Sequence, residues 1–189
     1  MQRNWRELIK PRSIEVDQES LTQKYGKFVC EPLERGFGIT LGNALRRVLL
    51  STIRGAAITA VKIDGVLHEF STVPDVREDV AELVMNLKGV DVRLDSDGPK
   101  TCHVRLEGER EVKAGDLFNQ AGIEVMNPDH HVAQIGPGGV LDLELTVKAG
   151  FGYKGAPQSR EAGAPIGTVL MDAIFTPIRK VNYRVTNAR

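Results

Sequence analysis

The chain has 189 residues, 41% hydrophobic and 26% charged, with 25 Lys plus Arg matched by 25 Asp plus Glu. That length supports one good core or two smaller ones sharing a boundary. A formal charge of zero argues against a chain that grips a phosphate backbone over its whole surface, and 5% aromatics argues against stacking platforms for single strands.

The opening MQRNWRELIKPRS has no apolar core of the signal-peptide kind, and no apolar run is long enough to span a bilayer, so a soluble, cytoplasmic chain is expected. KFVCEPL, from Lys27 to Leu33, reads as a strand. Its Cys30 and the distant Cys102 both fall in strand-like stretches, and buried thiols are expected rather than a disulfide.

ERGFGITLGNALRRVLLST follows, a glycine-rich turn running into a helical pattern. Two readings compete. In the first, Gly36, Gly38 and Gly42 cradle a phosphate, ITAVKID is the next strand, and Asp64 stands where a dinucleotide fold places its ribose-binding acid, which makes the chain an oxidoreductase domain. Against it, EPLER separates strand from turn and brings Glu31 and Glu34 close to the phosphates. Strands that alternate polar and apolar residues also do not suit a parallel sheet buried on both faces. In the second reading the helix is a surface with two apolar sides. At 100° per residue, Phe37, Leu41, Ala44, Leu45, Val48 and Leu49 fall on one broad side. Asn43, Arg47 and Leu50 line the opposite side, with Ile39 beside them. An arginine among exposed aliphatics is what protein interfaces favour. A helix buried on both sides within one domain is the alternative.

DVREDVAELVMNLKG predicts the second helix, with Val76, Val80, Leu83, Val84 and Leu87 as its stripe. Asp75 with Glu78 forms a capping box, and Gly89 is the stop. VDVRLD, CHVRLE and LDLELTV each alternate apolar with polar residues and predict antiparallel strands with one wet face. DSDGPK between the first two has hairpin-turn chemistry; it resembles half of a calcium loop, but a third ligand position and the closing Glu are absent. His130 and His131 are adjacent and read as turn residues. AGFGYKGAPQSREAGAP, from Ala149 to Pro165, reads as a long mobile loop, and IRKVNYRV as a last strand. No zinc spacing, nucleophile elbow or acidic magnesium cluster is present, so the chain is expected to be non-catalytic by itself, without cofactor or metal. The class is α+β.

LERGFGITLGNALRRVLLST, DGVLHEFS, NLKG and DAIFTPIRKVNYRV together resemble the N-terminal domain of bacterial RNA polymerase alpha subunits, over nearly the whole chain from Lys10. The resemblance implies a discontinuous dimerisation domain, residues 1–54 plus 176–189, of mixed helix and antiparallel sheet, interrupted by an inserted, mostly β domain, residues 55–175. It implies a homodimer that nucleates polymerase assembly, one copy binding the beta subunit and the other beta-prime. The first helix then lies at the dimer contact through Phe37, Leu41, Leu45 and Val48. Arg47 and Leu50 match beta-binding determinants, with Asn43 on the same stripe, and Lys88 matches a beta-prime-binding position. The family continues with a helix that completes the dimer contact, then a separate domain that binds promoter DNA. No direct DNA or membrane binding is therefore expected here, and the assembled polymerase would use magnesium in another subunit. A stand-alone dimeric scaffold of similar fold is the rival within the same class.

Overall fold

Alternation of apolar and polar residues places three of the strands. The computed structural model describes residues 8–156 and 165–187, and the chain divides into two compact units, Met1–Leu49 with Lys180–Arg189, and Leu50–Arg179.

In the first unit, β1 (Ile14–Val16) and β2 (Phe28–Cys30) form a two-stranded antiparallel sheet. A turn containing Gly36, whose φ of 88° suits glycine, leads into helix α1 (Phe37–Ser51), whose last two residues are counted with the second unit. The predicted strand IRKVNYRV is not a strand. Residues 180–187 run irregularly and lay Tyr183 and Val185 on α1, at Gly42 and Gly38. The period-2 pattern is present, but the segment meets a helix rather than a sheet edge, and burial against whatever surface is available overrides local propensity. None of the described residues of this unit is buried.

The second unit holds the hydrophobic core, and its class is α+β with a mostly antiparallel sheet. Strand β3 (Arg54–Ile63) pairs with β9 (Val140–Phe151) on one side. On its other side it pairs with β4 (Val92–Leu94) near its start and β11 (Thr168–Leu170) near its end. β5 (Lys100–Glu107) lies outside β9, and β7 (Ile123–Val125) outside β4. Separate two-stranded sheets are made by β6 (Arg110–Lys113) with β8 (His131–Ile135), and by β10 (Tyr153–Lys154) with β12 (Ala173–Ile174). Val104, Leu106, Leu141, Leu143 and Leu145 point inward as their alternation requires, and Leu83 and Leu87 of α2 (Val80–Lys88) join them in one cluster. Cys102 is buried and free, as expected of a thiol in a strand; Cys30 is free and half-buried.

Three sequence expectations change. DSDGPK is not a hairpin turn, because β4 pairs with β3 and β7 while β5 pairs with β9. Turn chemistry marks where a chain bends, and strand pairing is chosen by the longer complementary faces. The stretch from Ala149 is not a loop throughout: Ala149–Phe151 continue β9 against Ala56–Arg54, with the Phe175 ring over Gly150 in the place of a side chain. Residues 157–164 of that stretch lie outside the described residues. Helix α2 begins at Val80, not before Val76. Asp75 takes a φ of 56°, Val76 bridges Ile135 and the Arg77 amide donates to the Gln134 carbonyl, so the predicted first turn is spent alongside β8.

The cap is therefore Asp79, whose Oδ1 accepts from the Glu82 amide at 2.7 Å. Gly89 does end the helix, its amide donating to the Asn86 carbonyl at 3.0 Å. Asp79→Ala is expected to cost about 1 kcal/mol, the usual worth of such a cap, with Asp75→Ala leaving α2 capped; urea melts of the two variants check it.

Candidate subunit interface on the first helix

With α1 helical from Phe37 to Ser51, the 100° step applies and the two sides separate as expected. Ile39, Leu41, Leu45 and Val48 are 57, 37, 54 and 50% exposed, and Phe37 is half-buried. No residue of the helix is buried, so the reading in which both sides are buried within one domain does not hold. An aliphatic stripe left half in water along a 15-residue helix is a candidate interaction surface.

Along one edge of the broad side, beside Leu45 and Leu49, runs a row that sequence reasoning missed. Gly38 and Gly42 are not turn residues; they lie one turn apart on α1 and form the seat of the terminal segment. A Cβ on Gly38 would stand 2.8 Å from Val185 Cγ1, and one on Gly42 would run into the Tyr183 ring. The available signal was the i, i+4 glycine spacing, which permits close approach of another chain segment. This also removes the phosphate cradle, since two of its three glycines are covered by side chains. The sheet contradicts it as well: β3 pairs antiparallel with each of its neighbours, where a dinucleotide fold needs parallel strands.

Asn43, Arg47 and Leu50 lie on one side of α1, Asn43 and Arg47 exposed and Leu50 half-buried. Asn43 already has a partner, because the Tyr183 hydroxyl donates to its Oδ1 at 2.8 Å. That bond holds the terminal segment on the helix beside the stripe.

Lys88, in the last turn of α2, is far from these residues in sequence and belongs to the other unit. Its ammonium pairs with Asp172 and holds that carboxyl below the usual carboxylate value. A partner reaching Lys88 thus meets a Lys–Asp pair rather than a lone cation, with Met85, one turn earlier, 63% exposed beside it.

Of the two adjacent histidines only His131 differs from expectation. His130 precedes β8 and its Nε2 lies 2.9 Å from the Asn86 carbonyl oxygen, as a turn residue could. His131 opens β8 and touches two carboxylates, Glu78 and Glu111. Among the described residues no group of His, Cys, Asp and Glu converges as metal ligands would, and no helix is long and apolar enough to cross a membrane.

An α+β unit built on an antiparallel sheet and inserted between the two segments of another unit defines the class. Residues 61–176 match the family described as RNA polymerase Rpb3/RpoA insert domain, and the chain belongs to that family. All 189 residues align with three proteins called DNA-directed RNA polymerase subunit alpha: from Geobacter metallireducens and Syntrophus aciditrophicus at 52% identity, and from Pelobacter propionicus at 50%. The resemblance carried by the sequence motifs is thereby borne out. The chain spans about half the length of these curated relatives, 56, 55 and 56% of them respectively.

Proposed function

We propose that the chain is the assembly portion of a bacterial RNA polymerase alpha subunit, dimerising through α1 and presenting surfaces that gather the beta and beta-prime subunits in the cytoplasm. The observation that carries this is half-identity along all 189 residues to proteins named as that subunit. In this reading residues 1–54 with 176–189 are the dimerisation domain and 55–175 the inserted domain. Phe37, Leu41, Leu45 and Val48 meet a second copy, Asn43, Arg47 and Leu50 meet beta, and Lys88 with its Asp172 partner meets beta-prime.

Supporting it is the contrast between the units. The second buries a continuous core; the described residues of the first bury none, and leave Ile14, Phe28 and Leu45 each more than half exposed. A domain that cannot cover its own apolar surface gains stability from whatever covers it. The two-fold axis of a homodimer duplicates every site, so two large subunits that differ can each take one copy. Nucleotidyl transfer itself, and the magnesium it uses, would belong to another subunit of the assembled enzyme.

The deciding experiment is co-purification: the tagged chain, expressed with beta and beta-prime, is expected to retain both, and loss of both in a folded chain would refute the reading. The purified chain with magnesium, template and labelled nucleotides is expected to incorporate none. Template-dependent incorporation that stays with the chain through purification would overturn its non-catalytic role.

A further inference from the structure

The lead into α2 behaves as an extra strand on the outer edge of β8. The Arg77 amide donates to the Gln134 carbonyl at 3.0 Å, and the Gln134 amide donates back at 2.7 Å, not to backbone but to Glu78 Oε2. The Gly136 amide donates to the Asp75 carbonyl at 2.7 Å. The other oxygen of Glu78, a residue 8% exposed, lies 3.0 Å from His131 Nε2. Across β8, His131 Nδ1 lies 3.0 Å from Glu111 Oε1 on β6. One ring thus spans three successive pieces of backbone.

The chemistry of that ring is constrained by its neighbours. An ionised carboxylate only accepts hydrogen bonds, and a neutral imidazole has a single N–H to donate. With a carboxylate oxygen at hydrogen-bond distance from each nitrogen, both contacts are satisfied only by the imidazolium. We infer that His131 is a charged bridge between Glu78 and Glu111, and that this bridge is a pH-sensitive latch fastening the lead of α2 to the β6–β8 sheet.

The other charged groups on the packed elements do not replace it. Lys113, opposite His131 on β6, has its Nζ 3.5 Å from Asp129, and Asp79 caps α2. His130 contacts the Asn86 carbonyl. Arg77 joins the lead to β8 through its backbone amide.

Both ends of the pair shift consistently with the latch. Hydrogen bonds donated to Glu78 and then to Glu111 raise the His131 value above its ordinary 6.5, against the opposing effect of burial. Burial pushes Glu78 up, but the Gln134 amide and His131 outweigh it and leave the carboxyl below its ordinary 4.5. A raised histidine contributes stability that is complete below 6.5 and is lost as pH rises through the folded value. A lowered carboxylate contributes stability that is complete above 4.5 and is lost as pH falls through its folded value. The latch is fully set between those two ordinary values. On the alkaline side the ring keeps one proton. Glu111, with its side chain 48% exposed, swings to water, and the bond to buried Glu78 is demoted from charge-assisted to neutral.

Nitrogen-15 NMR of the 189-residue chain tests this directly. At pH 6 both ring nitrogens of His131 are expected to carry protons, with a titration midpoint above about 6.5, the value of a free histidine. From pH 6 to pH 8 the hydrogen-exchange protection of the Arg77 and Gln134 amides is expected to fall threefold or more, and in His131→Gln to be low and flat across the range. A midpoint at or below the free value, or protection in the wild type that does not change with pH, overturns the latch. If His131→Gln does not fold, the wild-type midpoint and protection still decide it. Because neither readout involves a partner subunit, the result is independent of the proposed role in polymerase assembly.

Discussion

A chain carrying Leu45→Glu is expected to sediment as a monomer at every concentration tested, where the wild type is expected to self-associate. Leu45 sits in the middle of the stripe formed with Leu41 and Val48, and it is 54% exposed in the protomer. At a two-fold contact each residue is used twice, so each dimer would confine two like charges in a desolvated seam. The magnitudes also set how tight the wild-type dimer should be. Fully burying a Leu or Val side chain contributes about 1.5–3 kcal/mol, so the half of each that is still exposed contributes about 1 kcal/mol. Three such residues used twice give about 6 kcal/mol, which falls inside the 4–15 kcal/mol range that association costs. The stripe alone therefore at best offsets that cost and supports no more than a marginal dimer. A permanent homodimer usually buries more than about 2,000 Å², and the downstream helix expected from the family would add area. Sedimentation velocity over a concentration series is to be run on the 189-residue chain and on one extended through that helix, with circular dichroism to confirm folding. A folded Leu45→Glu chain that still associates would show that another face makes the contact, and a tight dimer from 189 residues would show the added helix to be dispensable.

Arg47→Ala is expected to weaken capture of the beta subunit by about 2 kcal/mol or more, roughly 30-fold in Kd, the range of interface residues that dominate binding. Arg47 is the clean probe of its stripe. Asn43 accepts from the Tyr183 hydroxyl, so truncating it also loosens the terminal segment. Leu50 is half-buried, so truncating it removes packing within the chain. Arg47 is exposed on α1, and its own contacts there should contribute no more than about 1 kcal/mol, the ceiling of an exposed ion pair. Capture on immobilised chain and thermal melting separate the outcomes. Weakened capture with little change in melting assigns Arg47 to the interface. A melting temperature lowered by many degrees assigns it to the fold, and unchanged capture leaves beta to bind elsewhere.

Much of the second unit was legible in one dimension. Leu141, Leu143 and Leu145 alternate with Asp142, Glu144 and Thr146, and side chains that point to opposite faces must separate this way if one face is buried. The same rule placed Cys102, Val104 and Leu106. The stripe of α1 was legible for the corresponding reason at period 3.6, and the two exposed sides of that helix followed from it. Family membership was also carried by local strings such as LERGFGITLGNALRRVLLST, which need no folding to be recognised.

What the tertiary structure alone decided were the choices between equally good local options. Two acid-x-x-Glu starts, Asp75 with Glu78 and Asp79 with Glu82, follow one another at the entry to α2. Asp79 became the cap, and Glu78, the closing glutamate of the other candidate, was drawn to the Gln134 amide and the His131 ring, groups more than fifty residues away. VNYRV has a strand's alternation, yet it lies on α1 because Gly38 and Gly42 leave room for Val185 and Tyr183. The turn at DSDGPK reverses the chain without pairing its two strands, since β9 and β3 lie between β5 and β4 in the sheet. Periodicity reports which side of an element is apolar, and it does so from neighbours within a few residues. Which surface that side meets is set by contacts between residues far apart along the chain, whose energies no short window of sequence contains.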